Sequence, residues 1–557
     1  MAKKNKGKKR KNDLSKRERD GKISKEKISL PQLLKKNRGT AATTPLPPAW
    51  STLPPNPPKF LTPDDEGFES LKSECYRGFV YENPKDIDDD IHECFSSSFH
   101  GLDQSGLFLY DVVQPGGKKL SLTFVTRTLV GNAGSTYKYL GLRLFSHPWN
   151  DVTGDGDDDL NSNNASQKTT TGESLIELGY SKKCAKALIK LGIINKKLRK
   201  RTDHVLQREI APLVKDNLVG SADYTITLIN KMEPTRSKKD LKNDKVHGLG
   251  KTSVSWHKDS GLNDFSSIAV YHQLENTSDD IPWKVALRVA DANVKTPALS
   301  VPLPSKSLYY LLDDFNHQHE HAVIAGSNSL RYSSTHRVAR DGAGTYQYIR
   351  DKCRKVLSYT VCKTILKAIQ SNTDPSFDDS DKPKVEKELR ACNQLITELE
   401  FEWIRQWYIQ GKLHARLHPY WEDKISYLEE CYLKLHSIVN YINSLFEENR
   451  DKYGIITEDL FDIFIEYAES RNELRLAWKQ RLKDSVFKSL DVQARPSECS
   501  TLNNCKEAGG IELRQWKSNF CSKGTASKKR KREKKSALTK KEKKRVASNW
   551  EKMKKKF

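Results

Sequence analysis

Between Tyr224 and Thr335 the chain is divided into short apolar runs: Tyr224–Met232, Ser253–His257, Ser267–Leu274, Trp283–Val289, Ser307–Leu312, His321–Ala325 and Leu330–Thr335. Each is rich in Val, Ile, Tyr or Leu and bounded by Gly, Pro, Asn or Asp, which punctuate strands. Strands this short cannot bury an apolar face alone. Many of them at near-regular spacing predict two packed sheets, a sandwich or a jelly roll. Ahead of them, Ser174–Asp216 places Leu188, Leu191 and Ile194 at three- to four-residue steps and reads as helix.

Downstream the period changes. Leu395, Leu399, Trp403, Trp407 and Tyr408 recur at helical spacing, as do Tyr427, Leu428, Tyr432, Leu435, Val439 and Ile442. Leu460, Ile463, Phe464, Tyr467, Leu474 and Trp478 form a third such stripe. Three long amphipathic helices imply an antiparallel bundle whose stripes form core and carry no chemistry. The expected class is therefore α+β. A double-stranded β-helix (jelly-roll) domain with flanking helices spans 59–380, and an all-α helical-bundle domain spans 381–490.

The ends differ in composition. Hydrophobic residues make up 36% of the chain, low for an all-globular protein, and the shortfall falls at the termini. Residues 1–58 read as a basic, Pro-rich disordered arm, its linker containing Pro45, Pro47, Pro48, Pro54, Pro55, Pro57 and Pro58. Residues 491–557 read as a basic disordered tail. An acidic stretch, Asp151–Asp159, resembles a calcium loop superficially. Ser162 stands where the bidentate glutamate belongs, so it is expected to be a flexible insertion.

Net charge is +24, with the excess in Ala2–Arg38 and Lys523–Phe557, where SKKRKREKK and KKEKKR stand out. Such clusters point to polyanionic partners and to nuclear targeting. There is no apolar run of membrane-spanning length, so no membrane span is expected, and the polar, lysine-rich Met1–Lys9 segment is not expected to act as a secretory leader. The ten cysteines lack C-x-x-C spacing. They are expected to be reduced thiols, with no structural zinc.

The chemistry begins at His257-Lys258-Asp259, an H-x-D triplet after the strand-like SVSW. On a strand, residues two apart share a face, so imidazole and carboxylate could reach one point. One later histidine would complete a 2-His-1-carboxylate face that leaves positions open on iron. His317, His319, His321 and His336 are the candidates. Then Arg331, Ser333, Thr335 and Arg337 alternate, so one strand face offers two guanidiniums and two hydroxyls. That set suits a dicarboxylate, forked by arginine and oriented by hydroxyls.

With these residues in view, VSWHKD, Y-x-x-LDDFN…HAVIAGS and RYSSTHR resemble the AlkB-type Fe(II)/2-oxoglutarate oxygenases. Within them the likeness is to the fat mass and obesity-associated (FTO) type of RNA N6-methyladenine demethylase. GNAGSTYKYLGLRLF (Gly131–Phe145) and EFEWIRQW (Glu400–Trp407) extend it, so it runs from about Lys59 to Ser485.

The resemblance implies two cofactors, Fe(II) and 2-oxoglutarate. It implies iron at His257, Asp259 and His321, leaving His317, His319 and His336 supporting or structural. It implies 2-oxoglutarate at Asn230, Tyr309, Arg331, Ser333, Thr335 and Arg337. A methylated base would be held by Arg127, Tyr139 and Leu140, beside His257, Lys258, Asp259 and Ser260. The family has histidine and glutamate where this chain has Lys258 and Ser260, and the His321–Arg331 spacing is one residue longer here.

The implied reaction is oxidative demethylation of N-methylated bases, releasing formaldehyde, succinate and carbon dioxide. The implied partners are methylated RNA, with single-stranded DNA as an alternative, and dioxygen, with no membrane. The implied location is the nucleus, with the cytoplasm second. Two other readings remain: an oxygenase of the same fold acting on protein or a small metabolite, and a catalytically idle RNA-binding scaffold. The Arg127/Tyr139/Leu140 set and the basic arms weigh against the first, the intact triad and paired arginines against the second.

Overall fold

The computed structural model describes residues 29–113, 121–139, 142–149, 172–233, 241–275, 281–326, 329–340, 342, 344–373, 380, 382–399 and 419–448. The expectations for Leu140, the acidic stretch Asp151–Asp159, Trp403, Trp407, Tyr408, the stripe Leu460–Trp478, residues 1–28 and the tail from 491 lie outside the described residues.

Eight strands form the central core: β1 (Ile226–Met232), β2 (Lys251–His257), β3 (Ile268–Glu275), β4 (Trp283–Val289), β5 (Ala298–Leu303), β6 (Leu308–Leu311), β7 (His319–Ile324) and β8 (Leu330–Arg337). They divide into two antiparallel sheets, ordered β6-β3-β8-β1 and β5-β4-β7-β2. The chain steps back and forth between the sheets as it advances, the winding of a double-stranded β-helix. Ser121–Gly131 and Leu109–Val113 widen the first sheet beyond β1, and Phe79–Glu82 beyond β6.

Strand alternation sorts the side chains. Ile226, Leu228, Ile268, Val270 and Leu311 face inward and share one core with Val285, Leu287 and Val301 of the second sheet. The opposite face of the first sheet is covered by two helices, α1 (Asp89–Gln104) and α2 (Lys182–Glu209). Phe95 stacks on Tyr271 at 3.9 Å, and Phe99 stacks on Tyr332. Leu188, Leu191 and Ile194 of α2 are fully buried there, so their periodicity is that of a helix laid on a sheet. One sheet thus has a helix-covered apolar face and an inner face free to carry polar groups.

Strand β5 was not among the expected runs. Its segment ALSVPL contains Pro302, and proline argues against a strand because it cannot donate to a ladder. Here Pro302 pairs with Lys284 of β4, and on the other side of β5 the short strand Phe60–Leu61 reaches only Ala298 and Leu299, so no ladder needs a donor at Pro302.

Two expectations need correction. The arm 1–58 is not uniformly unstructured: Leu30–Arg38 is a helix, started by a Ser29/Gln32 capping box and Pro31 in its first turn. Leu34 is buried, and Arg38 makes two hydrogen bonds to the Asp313 carboxylate, 2.9 and 2.7 Å, while lying over the Phe265 ring. Basic composition concealed this docking because its partner lies 275 residues away.

Likewise the helical domain begins before 381. Helices α3 (Tyr346–Ser358) and α4 (Thr360–Ser371) share one core with α5 (Lys382–Glu398) and α6 (Glu422–Glu448), through Ile349, Val356, Ile365, Ile396, Leu428 and Leu435.

Candidate metal and cosubstrate site

Strand β2 ends at His257, and its pairing with β7 sets His257 opposite His321. The two imidazoles lie 4.2 Å apart, centroid to centroid. Asp259 lies beyond the strand end, with Oδ1 3.6 Å from His257 Nε2. The ligand atoms of His257, Asp259 and His321 all lie within 4.8 Å of one another, and among the described residues this is the one such cluster.

The two-residue alternation expected for H-x-D is not what places Asp259. Asn316, before β7, does so. Asn316 Oδ1 accepts from the Asp259 N–H at 2.9 Å, and Asn316 Nδ2 donates to the Asp259 carbonyl at 2.9 Å. Arg337, at the end of β8, then grips the carboxylate, Nε to Oδ2 at 2.7 Å and Nη2 to Oδ1 at 3.1 Å. Arg337 was expected to contact the cosubstrate; here its guanidinium is bound to the candidate ligand Asp259.

Electrostatics suit a cation. Burial alone would raise the Asp259 carboxyl, but Arg337, His257 and His321 together hold it far below the usual carboxylate range. Burial, reinforced by His257, pushes His321 down to about 3, so the imidazole is neutral, the form that binds metal. His257 Nδ1 donates to the Ser255 carbonyl at 2.8 Å, leaving Nε2 as its ligand atom. Two imidazoles and one carboxylate gathered at one point fit Fe(II) with positions left open for other ligands.

The other candidate histidines are occupied otherwise. His319 is buried between the carbonyls of Cys75 and Phe315, and burial pushes it down to about 4. His336 faces the helix-covered side and bonds Asn195. His317 lines a cavity of about 200 Å³ beside Asp259, together with Lys258, Ser260, Asp264 and Arg340. The Lys258 ammonium donates to the His317 carbonyl.

The inner face of the first sheet meets the triad through Arg337 at the end of β8. In register, Arg127 pairs with Asn230, Asn230 with Ser333, and Ser333 with His272, giving one polar row across four strands. One step along, Tyr309 aligns with Val270 and Thr335. Arg331 ends the series. It is 1% exposed, and among the described residues no carboxylate pairs with it. Burial pushes its guanidinium down to about 10. A buried arginine without an anion is costly unless a ligand supplies one, and a dicarboxylate would. Tyr139 ends the strand Thr136–Tyr139, whose hairpin partner is Leu142–Phe145.

Missed by sequence reasoning were Asn316 and His272. Asn316 was visible within LDDFN but carried no assigned role, and His272 was one histidine inside an ordinary strand run.

Comparison with known proteins agrees with this geometry. Residues 66–340 match the FTO catalytic domain family and residues 344–514 the FTO C-terminal domain family. The alpha-ketoglutarate-dependent dioxygenase FTO of Xenopus laevis is 30% identical over 463 residues, covering 78% of this chain and 87% of that protein. Among solved structures, a prolyl hydroxylase from Trichoplax adhaerens matches 47% of this chain and 84% of its own at 11% identity and a TM-score of 0.25. The auxin-oxidising dioxygenase AtDAO1 of Arabidopsis thaliana matches 50% and 87% at 13% identity and a TM-score of 0.27. The chain belongs to the FTO family, the AlkB-like dioxygenases that use Fe(II) and 2-oxoglutarate.

Proposed function

We propose that this chain oxidatively removes N-methyl groups from bases in RNA, with N6-methyladenine as the principal substrate. Cap-adjacent N6-methyl-2'-O-methyladenine, 3-methyluracil and 3-methylthymine are the substrates to compare with it. The observation that carries the reading is a three-donor triad, its histidines on the second sheet, together with a buried Arg331 on the first sheet that has no carboxylate partner among the described residues.

In this reading His257, Asp259 and His321 hold the iron. Arg337 and Asn316 fix Asp259. Arg331 forks the distal carboxylate of 2-oxoglutarate while Ser333, Thr335, Asn230 and Tyr309 orient it. Bound Fe(II) and 2-oxoglutarate supply the oxidising chemistry, with dioxygen as oxidant. The protein contributes position and exclusion of water, and no side chain need act as a nucleophile. Arg127, Tyr139 and Leu140 hold the base, for which stacking on an aromatic face is the expected mode. Lys258 and Ser260 line the cavity beside Asp259 and bear on which base is preferred.

The basic clusters in Ala2–Arg38 and Lys523–Phe557 support a nuclear location and electrostatic attraction to RNA. A fluorescent fusion lacking Lys523–Phe557 tests the location: continued nuclear accumulation would remove that tail from the reading.

The direct test of activity is formaldehyde release from N6-methyladenosine RNA with Fe(II) and 2-oxoglutarate, alongside mass spectrometry of nucleosides from mixed methylated RNA and single-stranded DNA. Loss of methyl groups from RNA, abolished by His257→Ala, is expected. RNA binding without any change in nucleosides would favour a scaffold instead.

A further inference from the structure

His272 lies in the middle of β3, fully buried on the inner face, and β3 pairs directly with β8, which carries both Arg331 and Arg337. Its Nε2 is 2.9 Å from the Leu303 carbonyl oxygen, which can only accept, so Nε2 carries the proton. Its Nδ1 is therefore a lone pair, and it accepts from Arg331 Nε at 2.8 Å. The main chain of His272 is itself fixed, its N–H donating to Ser307 and its carbonyl accepting from Lys306.

Resting on the cosubstrate reading above, we propose that His272 is a positioning residue for Arg331, holding its guanidinium in the pose that receives the distal carboxylate of 2-oxoglutarate. Arginine needs acceptors for five N–H groups in a fixed plane. At Arg331 one Nη1 contact goes to Met232 Sδ at 3.1 Å, a weak acceptor, and the guanidinium lies 5.2 Å from the Trp283 ring. Among the described residues the His272 bond is the short, directional one, so it determines the rotation of the plane.

The chemistry of the acceptor matters as much as its position. A carboxylate at 272 would orient Arg331 too, but would neutralise it and compete with the ligand. A neutral imidazole satisfies Nε while leaving the full positive charge for an incoming anion. Burial keeps His272 well below its usual titration range, which preserves that acceptor at neutral pH.

The test measures 2-oxoglutarate binding by calorimetry on protein loaded with Mn(II), which needs no turnover. His272→Leu removes the acceptor at similar volume, and His272→Asn restores one near the Nδ1 position. The leucine variant is expected to weaken 2-oxoglutarate at least tenfold with unchanged Mn(II) affinity, and the asparagine variant to recover most of that loss. Wild-type 2-oxoglutarate affinity in His272→Leu would overturn the proposal, as would equal losses of Mn(II) and 2-oxoglutarate. Arg331→Gln separates the two levels: if it too binds normally, the cosubstrate reading itself fails, whereas a loss in Arg331→Gln alone removes only the role of His272. A second measurement needs no substitution. In protein carrying 15N-histidine, His272 Nδ1 is expected to be unprotonated between pH 6 and 8, and a proton there overturns the proposal.

Discussion

The Arg337 guanidinium and the Asp259 carboxylate form a two-point ion pair, 2.7 and 3.1 Å, with both side chains almost wholly buried. The guanidinium is what makes this buried carboxylate tolerable. A metal ion on the other side of the carboxylate would share that task. Arg337→Met is therefore expected to destabilise the metal-free protein by about 3–5 kcal/mol, the usual cost of orphaning a buried charge. The loss should shrink when Mn(II) is saturating, because the ion supplies the missing positive charge. Denaturant unfolding with and without Mn(II) checks this, and equal losses in both conditions would count against it.

A second prediction concerns the junction of the two domains. Trp421 is fully buried, donates from Nε1 to the Ser146 carbonyl at 2.7 Å, and meets Phe145 edge-on at 5.0 Å. Phe145 ends the hairpin that carries Tyr139. Trp421→Ala should cost about 3–5 kcal/mol in stability, as large-to-small core changes do. Trp421→Phe should cost about 1 kcal/mol for the lost hydrogen bond. If the helical domain buttresses the hairpin, Trp421→Phe raises the KM for methylated RNA more than that for 2-oxoglutarate. Equal changes in both would place the effect on the whole catalytic domain.

How much of this was legible in the sequence follows from the range of each interaction. His257, Arg331, Ser333 and Thr335 could be singled out as candidates because strand alternation is local, and all seven expected runs coincide with core strands. Asn316, His272 and Arg38 were not, because each acts on a residue far along the chain: 57, 59 and 275 positions away. Strand β5 was not expected at all, and its partner on the side away from β4, Phe60–Leu61, lies far along the chain.

The basic ends offer a third prediction. Contacts made by lysine and arginine to phosphates release counterions, so their contribution fades as salt rises. Deleting Lys523–Phe557 should weaken RNA association several-fold at low ionic strength and little at high, flattening the slope of log affinity against log salt. Filter binding across a salt series measures it. A parallel displacement at all salt concentrations would mean that the tail acts other than electrostatically.

Acid sensitivity is the fourth. His272, His319, His321 and His336 are all held neutral, chiefly by burial, His319 at about 4 and His321 and His336 at about 3. On unfolding each returns to an ordinary value near 6.5 and takes up a proton below it. The unfolded chain then binds more protons than the folded one, so stability rises with pH through this window and falls on acidification. With up to four protons involved, the slope of the metal-free protein should approach roughly 5 kcal/mol per pH unit between about pH 6 and 4. The depressed carboxyl of Asp259 adds its own loss only below about pH 4, where carboxylates in the unfolded chain begin to protonate. Guanidinium midpoints at pH 8, 7, 6 and 5.5 should therefore be flat at first and then drop. His336→Gln, which keeps an amide near Asn195 and removes one titrating ring, should flatten that drop by about one proton. A midpoint constant from pH 7 to 5.5 would mean that these histidines are already charged in the folded protein.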